Sequence, residues 1–159
     1  MRKDSRGFSL IELLIVVAII LIIAAIAIPN LLRSRIAANQ ASAVGSLRTM
    51  NTAEITYAST YNAGYSTDLT SLGPGTTAVP TASAAGLIDS VLAGGVKSGY
   101  SFIYTQGPTV GGRIDTYEIN ANPVTAGTTG TNFYFTDHSG VIRQNSAAAA
   151  SATDSPLAG

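Results

Sequence analysis

The most restrictive feature of this sequence is an apolar run over residues 8–28, in which only Ser9 and Glu12 are polar. As an α-helix the run would measure about 32 Å, because each residue adds roughly 1.5 Å, and this is long enough to cross the hydrocarbon layer of a bilayer. The run takes up 21 of the 159 residues, and the remainder has room for one small domain. The sequence therefore predicts a membrane-spanning helix followed by a single domain.

The helical pattern continues beyond the apolar run, with apolar residues at helical spacing and arginines between them. Pro29 is predicted to kink this helix, because proline lacks an amide hydrogen and clashes with the preceding turn. Asn62 and Gly64 are predicted to end it. We therefore expect one long helix, in which residues 8–30 form the transmembrane and filament-core half and residues 31–61 form the amphipathic half.

The composition changes after the helix, where glycine, serine, threonine, alanine and asparagine become frequent. Residues 62–99 are predicted to be a connecting loop region that contains a short helix at 87–92. Four short runs rich in aromatic and β-branched residues then predict antiparallel strands: 100–105, 113–120, 132–137 and 141–144. The predicted fold class is α+β, with a long N-terminal helix packed on a small antiparallel sheet within residues 100–145. Residues 146–159 are a low-complexity tail, of a kind that is usually a loose end.

Charge and cysteine content exclude several classes of function. Nine lysines and arginines balance nine aspartates and glutamates, which gives no electrostatic footprint of the kind that phosphate-backbone binders need, so nucleic acid is not a favoured partner. The absence of cysteine excludes disulfides, thiolate metal sites and cysteine nucleophiles. No pattern of residues indicates a catalytic site, a metal or a cofactor.

Glu12 is not explained by ordinary membrane anchoring, because an unpaired carboxylate inside the apolar layer costs at least ~2 kcal/mol. If the chain were cut after Gly7, the new amine of Phe8 would carry a positive charge close to that depth. It could pair with Glu12 of the same chain or of a neighbouring one, and the free amide groups of the first helical turn would add to the favourable field. Glu12 is therefore the candidate residue for assembly and register.

Residues 6–30, RGFSLIELLIVVAIILIIAAIAIPN, resemble the class III signal and N-terminal helix of type IV pilins and type II secretion pseudopilins. The resemblance implies the pilin fold and a leader over residues 1–7. It implies that a membrane-embedded prepilin peptidase cleaves after Gly7 and methylates the amine of Phe8. It also implies that Glu12 meets the methylated amine of an adjacent subunit.

These features predict a structural subunit of an extracellular type IV pilus-like filament, and not an enzyme. Lipid of the bacterial inner membrane would surround residues 8–30 of the precursor, with its N-terminus cytoplasmic, and helices of sister subunits would surround them in the homopolymer. Inner-membrane assembly machinery is the further expected partner. The sequence departs from the family at Leu21, where many members have glycine, and in lacking the cysteine pair that closes the C-terminal region of many pilins.

Other interpretations of the N-terminal region remain open. Within the same family, the chain would be a pseudopilin of a type II secretion system. In another class, it would be a signal-anchored or exported binding domain, either with a plain membrane anchor or with a secretory signal cleaved at the A-x-A pattern of residues 25–27. The N-terminal sequence of the mature protein separates these interpretations.

Several polar and aromatic residues have simple structural interpretations. His138 lies between Asp137 and Ser139 in a predicted hairpin turn, and adjacent turn residues cannot form a catalytic relay. Asp115, Glu118 and Asp137 are expected to be solvated residues of the strands, although calcium binding is the alternative. The glycine pairs at 94–95 and 111–112 match no phosphate-binding loop and are predicted turns. The tyrosines at 57, 61, 65, 100, 104, 117 and 134 are expected to pack between helix and sheet.

Overall fold

The computed structural model describes residues 8–76 and 79–157. The chain divides into two compact units, the first ending at Arg35 and the second beginning at Ile36. The helices are α1 (Leu10–Tyr61), α2 (Leu69–Leu72) and α3 (Ser90–Ala93). The strands are β1 (Val96–Lys97), β2 (Tyr100–Gln106), β3 (Thr109–Val110), β4 (Arg113–Ile114), β5 (Tyr117–Pro123), β6 (Phe133–Asp137) and β7 (Arg143–Asn145).

The first unit contains the apolar part of α1, whose large side chains from Leu10 to Leu32 are exposed. Among the described residues, α1 is long and apolar enough to cross a membrane, by length and composition. Helical structure continues through Pro29, although the missing amide hydrogen of proline leaves the carbonyl of residue 25 without its usual helical donor. The predicted kink at Pro29 therefore stays a prediction.

In the second unit, α1 buries one stripe of side chains against the sheet. Ala43, Leu47, Met50, Ala53 and Tyr57 recur every three or four residues, as one face of a helix requires, and all belong to the hydrophobic core. The helix ends at Tyr61, where Asn62 takes a left-handed conformation, with φ 52°. The predicted end of the helix is thus confirmed.

The five-stranded sheet is antiparallel throughout and has the order β1-β2-β5-β6-β7. Its helix-facing side carries side chains in register across three strands: Phe102 pairs with Ala121, and Ala121 pairs with Tyr134. All three are buried in the same core as the helix stripe. A long helix packed on an antiparallel sheet confirms the predicted α+β fold.

One predicted strand, 113–120, is in fact two. Its first residues form β4, which pairs with β3 in a separate hairpin through the turn at Gly111 and Gly112, both with positive φ. The backbone of Ile114 also pairs with the segment that follows α1: its amide donates to Ala63, and its carbonyl accepts from Tyr65 at 2.8 Å. Because Ile114 is committed to these partners, the main sheet resumes only at β5.

The C-terminal tail, predicted to be a loose end, is instead packed on the sheet. The amide of Gln144 donates to the Ser155 carbonyl at 3.0 Å, and the amide of Leu157 donates to the Ile142 carbonyl at 2.8 Å. The Asn120 side chain also donates to the carbonyl of Ala150, which is buried. The low-complexity composition hid this arrangement, because backbone pairing requires no particular side chains.

Candidate functional site

The N-terminal site is centred on Glu12 and the first turn of α1. Ser9 is the residue before the helix, and its carbonyl accepts the first helical hydrogen bond, from Leu13. The Glu12 Oε2 accepts a hydrogen bond from the Ser9 amide at 2.9 Å. Ser-x-x-Glu with this bond is the glutamate half of a capping box, which occupies a free amide at the helix start. The carboxylate is therefore held at the positive end of the helix.

The position of Glu12 brings its charge close to the start of the described chain. Phe8, the first described residue, is 82% exposed, and its nitrogen is three covalent bonds from the Ser9 nitrogen that Glu12 binds. Gly7, the predicted cleavage residue, lies outside the described residues. The ion pairs among the described residues are Lys97 with Asp89 and Arg113 with Asp115, so no basic side chain in that part of the chain neutralises Glu12.

A second polar site lies in the core and was not found by sequence analysis. Glu54 of α1 is 0% exposed. Its Oε2 accepts from the Ser66 amide at 2.9 Å and its Oε1 accepts from the Ser66 hydroxyl at 2.5 Å, while the Tyr104 hydroxyl donates to the Ser66 carbonyl. These bonds fix the connecting loop to the helix immediately after its end. The signal in the sequence was position: Glu54 falls on the same helical stripe as Leu47 and Met50.

Burial dominates the electrostatics of this core site. Burial raises the pKa of the Glu54 carboxyl above its usual range, although its hydrogen bonds to Ser66 oppose the shift. Burial and the nearby Glu54 also raise the pKa of the Tyr104 phenol. The buried Glu54 has hydrogen-bond donors and no ion-pair partner among the described residues, so the carboxyl serves as a structural tie.

A pH titration of stability tests this assignment. A carboxyl whose pKa is higher in the folded than in the unfolded state stabilises the fold fully below its unfolded pKa, and this contribution is lost as pH rises through the folded pKa. We therefore expect the difference in unfolding free energy between the wild type and Glu54→Gln to decrease from pH 4.5 towards neutrality. This difference is measured by thermal unfolding of the full chain in detergent, monitored by the near-ultraviolet circular dichroism of its tyrosines.

Glu54→Ala is the matched comparison for this titration. It leaves the buried Ser66 amide without an acceptor, which costs about 1–3 kcal/mol. A wild-type to Glu54→Gln difference that stayed flat across this pH range would show that the carboxyl is not buried in solution.

The remaining polar candidates lie in turns and on strands. Asp137 accepts from the Ser139 amide at 2.9 Å and so closes the turn that contains His138. Asp115 pairs with Arg113 at 2.5 Å, whereas Glu118 is exposed. Within residues 8–76 and 79–157, no group of three or more histidine, cysteine, aspartate or glutamate residues could hold a metal ion.

The tyrosines pack as expected, and four of them are buried in the core: Tyr57, Tyr100, Tyr117 and Tyr134. The ring of Tyr117 stacks on that of Tyr104 at 5.9 Å, and its hydroxyl donates to the Asn51 side chain at 3.0 Å. The Tyr100 hydroxyl donates to the Asn132 carbonyl. Each of these two hydroxyls has a hydrogen-bond acceptor inside the fold, so the rings add apolar contact without leaving a buried donor unpaired.

Known proteins resemble this chain over part of its length. The family described as the prokaryotic N-terminal methylation motif matches residues 2–28. The chain is 52% identical over 50 residues to the type IV major pilin protein PilA of Myxococcus xanthus, covering 31% of this chain and 23% of that protein. It is 62% identical over 37 residues to the type IV wide pilus major component PilA4 of Thermus thermophilus, covering 23% of this chain and 28% of that protein. No solved structure matches the chain.

An apolar N-terminal helix with this motif, on a chain whose second unit packs helix on antiparallel sheet, defines a pilin-like protein. The chain carries this motif at its N-terminus and is similar over part of its length to two type IV pilus proteins. It matches about a quarter of the length of each of these two relatives.

Proposed function

We propose that this protein is the structural subunit of an extracellular type IV pilus-like filament. The exposed apolar helix of the first unit carries the proposal, because so large an apolar surface is unstable in water and must be covered. Lipid covers residues 8–30 in the inner-membrane precursor, and the same residues of sister subunits cover them in the homopolymer. The N-terminus of the precursor is cytoplasmic.

Assembly begins when a prepilin peptidase cleaves after Gly7 and methylates the amine of Phe8. The freed amine adds a cation at the end of the helix where Glu12 already accepts from the Ser9 amide. Glu12 then pairs with the amine of an adjacent subunit. A neighbour in the wrong register would leave the carboxylate buried and unpaired, which is costly in an apolar surrounding, so this pairing sets the register.

The contacts are heterologous, since the patch that one subunit offers differs from the patch it meets on the next. Such contacts form a closed ring only if the rotation between successive subunits returns to the first subunit. The proposed product is instead an open helix of subunits. Inner-membrane assembly machinery extracts each apolar helix from lipid.

A filament subunit is preferred to a pseudopilin of a type II secretion system because both matched relatives are named as pilus components. The two alternatives differ in whether filaments of this subunit are present on the cell surface. Electron microscopy of sheared surface filaments, with mass spectrometry of their subunit, tests the proposal directly. A chain that stays in the inner membrane while secretion of proteins depends on it would favour the pseudopilin.

Processing gives a second test. We expect Gly7→Val to leave an uncleaved precursor, because a branched side chain replaces the small residue at the proposed cleavage position. Mass spectrometry of the membrane fraction should then find residues 1–7 still attached and Phe8 unmethylated, whereas the wild-type subunit should begin at methylated Phe8. A normally trimmed and methylated Gly7→Val subunit would contradict the proposed processing site.

A further inference from the structure

Three arginines of α1, Arg33, Arg35 and Arg48, are exposed and take part in none of the ion pairs of the described residues. Two of them directly follow the apolar run. Successive helical residues are rotated by about 100°, so Arg33 and Arg35 project to nearly opposite sides of the helix. In a filament held together by the apolar run, these two side chains lie beside neighbouring subunits and lose part of their hydration. They then need acidic partners.

Nearly all described carboxylates already have partners within their own chain. These partners are Ser9 for Glu12, Ser66 for Glu54, Thr70 and Ser71 for Asp68, Lys97 for Asp89, Arg113 for Asp115, Ser139 for Asp137 and Ser151 for Asp154. Glu118 is the exception, because its carboxylate forms no hydrogen bond or ion pair with the described residues. The carboxylate without a partner among the described residues of its own chain is therefore on β5.

Glu118 lies in an open recess of the sheet. In the strand register it stands between Thr105 of β2 and Asp137 of β6, so the two carboxylates are cross-strand neighbours on one face. The recess is also lined by Gln106, Pro108, Thr116 and His138. Its described lining contains no lysine or arginine. The recess thus combines negative charge with neutral oxygen acceptors.

We propose that this recess receives Arg33 or Arg35 of a second copy of the chain, with Glu118 as the ion-pair partner. A guanidinium group has five donors in a planar fork, which suits a carboxylate flanked by side-chain oxygens. The inference rests on the proposed filament, and it assigns a lateral contact in addition to the packing of the apolar helices. The second copy is the occupant because it brings unpaired cations to the place where copies must approach one another.

Cross-linking in filaments tests the contact without relying on charge. The chain contains no cysteine, so single cysteines can be introduced without a background. Cells would express a Glu118→Cys chain together with an Arg33→Cys or Arg35→Cys chain, and sheared filaments would be treated with a short bis-maleimide. We expect covalent heterodimers with at least one of these partners, at about tenfold the yield obtained with Arg48→Cys. The proposal is overturned if the heterodimer yields with Arg33→Cys and with Arg35→Cys are both equal to or lower than the yield with Arg48→Cys.

Charge reversal gives an independent readout. We expect Glu118→Arg to lower the yield of sheared filaments by about tenfold, because like charges at an interface are strongly unfavourable. Adding Arg33→Glu or Arg35→Glu should restore the yield to within about twofold of wild type. Adding Arg48→Glu, which makes the same change in net charge, should not. The level of precursor in the membrane controls for folding and insertion in each variant.

A further control is Asp115→Arg, which reverses an exposed carboxylate that already has a partner in its own chain, Arg113. We expect this variant to retain more filament than Glu118→Arg. If wild-type cells make no filament, the proposed function fails. If the wild type polymerises but Glu118→Arg does so equally well, or if no arginine reversal rescues it, only the recess assignment fails.

Discussion

Glu12→Ala is expected to leave the precursor inserted in the membrane and to reduce surface filaments by at least about tenfold. Removing the carboxylate makes the span more apolar, so insertion is not impaired. In the proposed filament, however, the amine of a neighbouring subunit loses the anion that would compensate for its burial, and an unpaired buried charge is strongly destabilising. The measurement compares the subunit in membranes with the subunit in sheared filaments by immunoblot.

Glu12→Gln is the matched control, because it separates the helix-capping bond of this side chain from its proposed ion pair. The glutamine oxygen can still accept from the Ser9 amide and so can maintain the start of α1. It cannot neutralise a cation. We therefore expect Glu12→Gln to assemble almost as poorly as Glu12→Ala. Wild-type filament levels in Glu12→Gln would mean that Glu12 acts as a helix cap and not as an ion-pair partner.

Gly64→Ala is expected to destabilise the second unit by more than about 4 kcal/mol, a size reached by few single substitutions. Gly64 has φ +81°, and a Cβ built there meets the backbone of Ile114, including its carbonyl oxygen. That carbonyl accepts from the Tyr65 amide, so it cannot move away without breaking the link between the end of α1 and β4. Denaturant unfolding of the full chain in detergent measures the loss.

The control for this prediction is Gly86→Ala. Gly86 also has positive φ, +66°, but a Cβ there meets nothing within 4 Å. Its substitution should therefore cost only the conformational strain of a left-handed residue, about 1–2 kcal/mol. Equal losses of stability in the two variants would show that the close approach to Ile114 is not what requires glycine at position 64.

The sequence was informative where a periodic pattern and a termination signal agreed. The stripe that includes Leu47 and Met50 located the helix, and Asn62 located its end, since each depends on local geometry. The interruption of the predicted strand 113–120 at Ile114 was not predictable from such local signals. Its backbone pairs with a segment about fifty residues earlier in the chain, and no side-chain pattern encodes that pairing.

The two polar sites, at Glu12 and at Glu54, also differ in how far local sequence reveals them. Glu12 could be chosen as a candidate from the sequence because a carboxylate within an apolar run is anomalous, and its role in assembly stays a prediction. Glu54 has ordinary polar neighbours, Thr52 and Thr56 among them, and only its place on the buried stripe distinguishes it. Its partner Ser66 is contributed by a loop whose path the sequence does not specify.

The arrangement of the C-terminal segment bears on how the second unit reaches its folded form. Asp154 accepts from the side chain of Asn145 at one end of the 146–154 loop and from the Ser151 amide within it, while backbone bonds attach the following residues to β7. None of these bonds is a covalent cross-link, and the chain has no thiol. The second unit can therefore reach its final form without an oxidant or a thiol isomerase, and a reductant that would open a disulfide leaves it unchanged.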